Sequence, residues 1–249
     1  MASQLAQNSG WYFPSGVGVD SVGNVYVAAV QSGDIRKISA TGAVSVISTD
    51  GCVGCWYPYG MTTDAQGNMF VVNSQGPGVF RIDNTTGHST QLTTKRVPQY
   101  AVAVSSAGGP VYTYKDENLY SIDQKTLTET TVYTSSNGFG CVAVDPSGMV
   151  YFAQGVSIYK LVPSTQVATL LTLSGKTLTS VEMIRADGMG NLFVLGANSL
   201  SKIVLSTGVV SSIVSTISFN LAIGLAVSNS GNLYVTDLYG NKVVMLALQ

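Results

Sequence analysis

Histidine occurs once in this sequence, cysteine three times and glutamate three times, and charged residues of both signs make up only 10% of its 249 residues. Three cysteines are too few for a disulfide framework, so stability must rest on a hydrophobic core, which a chain of this length can build. Twelve Lys and Arg against 13 Asp and Glu leave a net charge of −1 with no basic block, which excludes the cationic surface that nucleic-acid binding needs. The longest apolar runs span four to six residues, far short of the roughly 20 that cross a bilayer, so no membrane-spanning helix and no membrane partner are expected. Residues 1–10 show neither a cationic leader nor a long apolar run, so no signal peptide reads there. The compartment stays open, with a secreted or extracytoplasmic one favoured.

What the chain has is a repeat. GVGVDSVGNVYVA (residues 16–28) recurs as GMTTDAQGNMFVV (60–72), AVAVSSAGGPVYT (101–113), CVAVDPSGMVYFA (141–153), MIRADGMGNLFVL (183–195) and GLAVSNSGNLYVT (224–236). Taking Gly23, Gly67, Gly109, Gly148, Gly190 and Gly231 as equivalent, the intervals are 44, 42, 39, 42 and 41 residues. A period in this range signals a stacked or ring-shaped architecture. Within each copy an alternating apolar run meets a turn of the Asp-x-x-Gly-Asn kind and a second run, the pattern of two antiparallel strands and a tight hairpin. A third run follows each pair (IRKI, VFRID, LYSID, IYKL, LSKIV, KVVML), and a fourth follows in five copies.

Four-stranded units of about 40 residues cannot cover their own faces, and radial stacking around an axis covers them. The expectation is all-β: one six-bladed β-propeller domain over 1–249, with antiparallel four-stranded blades near 11–50, 51–93, 94–134, 135–175, 176–215 and 216–249 plus 1–10. The last copy ends after its third strand, so the N-terminal segment should supply the outermost strand of the final blade and close the ring.

Residues 224–246, GLAVSNSGNLYVTDLYGNKVVML, resemble an NHL repeat, and the other copies resemble diverged members of the NHL and related six-bladed propeller group. That group includes interaction modules, sensor domains, peptide-amidating lyases, streptogramin lyases and strictosidine-synthase-like enzymes, so the resemblance implies the fold and leaves the activity open. Both lyase chemistries lean on histidines, and the one histidine here, His88, falls in or beside the outer strand of the second blade.

In a propeller the loops that lead into the innermost strands gather at one end of the axis with the loops between second and third strands. Here these inlet loops hold Trp11, Tyr12, Trp56, Tyr57, Tyr59, Tyr100 and Phe139. They read either as a flat amphipathic platform for a small molecule, a glycan or a peptide, or as wedges between blades. Gln31, Asn73, Gln154, Asn198, Asp237 and Tyr239, near the other upper loops, join them as candidate ligand contacts. Glu182 takes the inlet slot that is Ser15, Tyr59, Tyr100, Gly140 and Ile223 in the other copies. A carboxylate in a partly apolar rim can serve as general acid or base, and strictosidine-synthase-like enzymes use a glutamate comparably. The competing reading is a glutamate solvated or paired with Arg185.

No cofactor is expected. An axial divalent metal held by Glu182, Asn73, Asn198 and Asp237 is the alternative that the related lactonase propellers imply. Cys52 and Cys55 read as a loop disulfide or two thiols, Cys141 as a small buried residue, and Asn84-Thr85-Thr86 as a glycosylation pattern in a surface turn. The repeated Asp20, Asp64, Asp145 and Asp187 read as structural. Two functions follow: a ligand-binding propeller, monomeric and using the aromatic inlet face, or a small-molecule enzyme of the strictosidine-synthase-like or lyase/hydrolase kind with Glu182 as acid or base.

Overall fold

The computed structural model describes residues 2–7, 13–47, 58–73, 76, 78–95, 97–98, 102–197, 199–213 and 218–248. Strand β1 (Ala2–Gln7) opens the chain. The first blade is β2 (Pro14–Val19), β3 (Val25–Ala29), β4 (Asp34–Ile38) and β5 (Val44–Ile47); the second is β6 (Pro58–Thr63), β7 (Met69–Asn73), β8 (Val79–Ile82) and β9 (Ser89–Thr93). The third is β10 (Ala103–Val104), β11 (Val111–Lys115), β12 (Asn118–Ile122) and β13 (Glu129–Thr134), and the fourth β14 (Cys141–Val144), β15 (Val150–Gln154), β16 (Ser157–Val162) and β17 (Val167–Leu170). A two-residue strand, β18 (Ser174–Gly175), precedes the fifth blade, β19 (Met183–Ala186), β20 (Asn191–Gly196), β21 (Ser199–Val204) and β22 (Val209–Ser212). The sixth holds β23 (Ala222–Val227), β24 (Leu233–Asp237) and β25 (Lys242–Leu246), and β1 pairs antiparallel with β25 as its fourth strand.

This is a six-bladed β-propeller whose two chain ends share one blade. The innermost strands are neighbours around the axis, and β23 returns to β2 to complete the ring. One element departs from the expected pattern. Residues 174 and 175, which the sequence period puts at the end of the fourth blade, run parallel to β22 and widen the fifth blade to five strands.

The apolar core is divided among the seams between blades. Tyr26, Phe70, Tyr112, Tyr151, Phe193 and Tyr234 hold the same place in the six second strands and are all buried. Each pairs across the hairpin with one residue of the innermost strand: Gly18, Thr62, Ala103, Ala143, Arg185 and Ala226. Five of these six partners are small, which leaves the aromatic ring room to fill the seam; burying such a ring contributes about 2–3 kcal/mol. At the seam between the first two blades the strands come closer still. A Cβ added at Gly16 would lie 2.5 Å from the backbone nitrogen of Met61, so only glycine fits.

The innermost strands run from the inlet loops, here called the upper face, to the first hairpins, the lower face. The lower face is a repeated hydrogen-bond device. Asp20, Asp64, Asp145 and Asp187 each accept from backbone N–H groups two and four residues on. The second carboxylate oxygen takes an amide from Asn24, Asn68 or Asn191, and the phenol of Tyr26 or Tyr151 donates to its own aspartate. Gly190, at φ 82°, supplies the left-handed residue that the turn needs.

Candidate functional site

The geometry of the upper face begins with the last residue of each second strand, because several candidate contacts fall there. The carboxylate of Asp237 is fully buried and accepts from the backbone N–H groups of Asn220, Leu221 and Gly240 at 2.9, 2.8 and 3.1 Å, with the Lys242 ammonium 3.4 Å away. Burial alone pushes its pKa up, but the N–H donors and Lys242 together outweigh that and hold the carboxyl below its ordinary range. Gln154 plays a similar part in the fourth blade, donating to Gly138 O at 2.7 Å and to the Ser135 hydroxyl. Asn73 is buried, with Gly76 against its amide as Gly240 lies against Asp237. Asp237 and Gln154 are turned into their own loops, where they pin the inlet segments to the rigid strands.

Of the aromatic candidates, Trp11, Tyr12, Trp56, Tyr57 and Tyr100 lie outside the described residues, as do Asn198, Cys52 and Cys55. Phe139 is edge-on to Phe152 at 5.1 Å and packs with Tyr114 and Tyr133 in the seam between the third and fourth blades. That is the wedge arrangement. Tyr59 is half-buried, and Gln31 is exposed on the turn after β3. Tyr239 is exposed and meets Phe13 edge-to-face at 5.9 Å. Phe13 has a φ of 59°, and its backbone is held by Asn241 Oδ1, which accepts its N–H, and by the N–H of Val30, which donates to its carbonyl. A bulky residue held in the left-handed region stores strain, which clusters at functional positions.

Glu182 is exposed, its N–H donating to Leu195 O at 2.9 Å. It makes no ion pair among the described residues, so the expected alternative pairing with Arg185 does not form. Arg185 instead points into the central channel. Among the described residues no three His, Cys, Asp or Glu side chains converge. His88 is exposed in the turn before β9, away from the upper face. Asn84 Oδ1 lies 2.8 Å from the Tyr26 phenol oxygen, sharing its one hydrogen with Asp20, and the Asn84 amide donates to Gln66 O at 3.0 Å, so it is engaged in the contact between the first two blades.

The upper face also carries a cleft of about 390 Å³ between the fifth and sixth blades. Leu195, Leu200, Ile213, Phe219 and Val235 form its apolar walls, and Ser199, Ser212, Ser218 and Lys176 bring polar groups to it. The added strand β18 delivers Lys176, whose ammonium donates to the Ser212 hydroxyl at 2.7 Å. Ser218 and Phe219 of the opposite wall are held by Lys242, which donates to Ser218 O at 2.7 Å and stands 5.9 Å from the Phe219 ring. Through Leu195, Glu182 is attached to the wall of this cleft. Sequence reasoning missed Phe219, although it takes the repeat position of Trp11 and was legible on that ground. Lys176 had no such signal, because it directly follows β18, which lies outside the repeat.

A six-bladed propeller with an upper-face cleft is thus the class that fold and site define. The sequence matches no known protein-family profile and no curated protein. Among solved structures it is similar to a gluconolactonase from Xanthomonas campestris, with a TM-score of 0.76 and 13% identity over 100% of this chain and 89% of the other. A streptogramin B lyase gives a TM-score of 0.71 and 11% identity, covering 100% of this chain and 98% of that one. A Staphylococcus aureus virginiamycin B lyase made catalytically inactive by a histidine-to-alanine change, solved with quinupristin, gives 0.64 and 14% over 95% and 80%. At such identities the likeness establishes the fold, in agreement with the resemblance of the repeats to the six-bladed propeller group.

Proposed function

We propose that this protein is a ligand-binding propeller that holds a small molecule or a short glycan or peptide segment at its upper face, in the cleft between the fifth and sixth blades. The observation that carries this reading is the cleft itself: about 390 Å³, with apolar walls and three serine residues and a lysine at its edge. Small-molecule sites have this volume and this mixture of apolar walls with a few placed polar groups. The fold neighbours include a lyase inactivated by the loss of a histidine, whereas the one histidine here is remote from the upper face. Glu182 has no second acid or base beside it among the described residues, and Asp237 and Gln154 are committed to their own loops.

A second reading keeps Glu182 as general acid or base on a substrate at the upper face; its backbone is tied to Leu195 of the cleft wall, and its side chain lies outside the cleft lining. The two separate in one experiment. A thermal-shift screen of sugars, lactones, aromatic amines and divalent metals, with and without chelator, identifies compounds that raise Tm. Phe219→Ala is expected to weaken binding of such a compound tenfold or more, and Glu182→Gln to change it less than threefold. Turnover of the compound that disappears in Glu182→Gln with the fold intact would replace the binding reading with the enzymatic one.

A further inference from the structure

The channel-lining place held by Gly18, Thr62, Ala103, Ala143 and Ala226 in five blades is an arginine, Arg185, in the fifth. The side chain crosses the channel: one terminal nitrogen, Nη2, donates to Met61 O of the second blade at 3.2 Å, and Nη1 donates to Ile184 O beside it at 3.0 Å. A guanidinium carries five N–H donors. Two are therefore used, both on neutral carbonyls, and the Nε–H is buried with no acceptor. Among the described residues no carboxylate forms an ion pair with it. Asp20, which lines the same channel space, is already saturated by Val22, Asn24 and Tyr26. The neighbouring Cys141 thiol is no counter-charge, because burial pushes its pKa up to about 12. Arg185 is half-buried, and a cation held there with a buried Nε–H that lacks an acceptor and with no partner charge is disfavoured relative to a paired one.

The space beside it measures about 60 Å³ and is lined by Thr62, Ser21, Ser106 and Asn229 as well as by small apolar residues. That volume admits a few waters or one small ion. We infer that the channel is a binding site for a small monovalent anion, a halide or formate-sized carboxylate, held by the guanidinium of Arg185 with Thr62 opposite it. The anion supplies the partner charge that no described side chain gives Arg185. This site is separate from the cleft between the fifth and sixth blades and does not depend on the function proposed for that cleft.

The test replaces sulfate by bromide, and in a second series by formate, at constant ionic strength while Tm is followed. The general salt effect runs the other way, since sulfate is the more stabilising ion. The expected result is a saturable rise of roughly 3–6 °C at tenfold excess over the dissociation constant in at least one series. The rise should be lost in Arg185→Met and kept in Phe219→Ala. A crystal soaked in bromide supplies a measurement on the unaltered protein: an anomalous peak is expected in the channel against the guanidinium. A response equal in Arg185→Met and the unaltered chain, or bromide peaks confined to the outer surface together with no saturable response in either series, would overturn the assignment.

Discussion

The two faces of the propeller are built from the ends of the same strands, yet they obey different rules. At the lower face four blades repeat one aspartate on one turn, each carboxylate taking backbone N–H groups from its own hairpin. At the upper face each blade does something else: Asp237 gathers the inlet segment of the sixth blade, Gln154 that of the fourth, and Ser180 accepts the N–H of Ala197 in the fifth. Repetition marks what every blade needs to fold, and divergence marks where the chain is free to specialise. The same contrast recurs inside the channel, where Arg185 breaks a run of small residues.

The comparison can be broken first at the element all blades share. Phe193→Ala empties a fully enclosed seam and should cost about 3–5 kcal/mol in urea unfolding, with the cleft lost as well. A cost under 1 kcal/mol would mean that the rings are not what joins the blades. Gly16→Ala drives a methyl group into the backbone of Met61 and Tyr59 and should destabilise by roughly 1–3 kcal/mol. Asp187→Ala removes the acceptor for Met189 N, Asn191 N and the Asn191 amide, and should cost about 1–3 kcal/mol with ligand affinity preserved.

Asp237 offers a pH test of the upper face. Its folded-state pKa is held below the ordinary value, so its contribution is complete above the unfolded carboxylate range near pH 4 and is lost as pH falls through the folded value. Asp237→Asn should therefore lower stability at neutral pH and flatten the acid limb of the stability profile; an unchanged acid limb would contradict the role of pin. The smallest effect belongs to Glu182→Gln, an exposed change expected to alter stability by less than about 0.5 kcal/mol.

This division also explains what could be read in the sequence. The six-bladed ring, the closure through β1 and the structural part of Asp20, Asp64, Asp145 and Asp187 were legible because periodicity converts a single chain into six samples of one local problem. The strand β18 was not, since Ser174 and Gly175 belong to no repeat position and pair only across the outer edge of the fifth blade. For the site, composition pointed to the upper face but not to how its polar residues are used. Asn73, Gln154 and Asp237 look from sequence like groups available to a ligand, whereas in the fold Gln154 and Asp237 are hydrogen-bonded to their own inlet segments. Arg185 was in reach, as the one long residue in a small slot, but its direction across the axis depends on a blade 124 residues away.

The central claim is that the cleft between the fifth and sixth blades binds a ligand without needing Glu182 to act on it. The most direct measurement is calorimetric titration of one Tm-raising compound into the unaltered chain, Phe219→Ala and Glu182→Gln side by side. The account predicts at least a tenfold loss of affinity in Phe219→Ala and less than threefold in Glu182→Gln, with the compound recovered unchanged. Equal affinity in Phe219→Ala, or conversion of the compound that stops in Glu182→Gln, would contradict it.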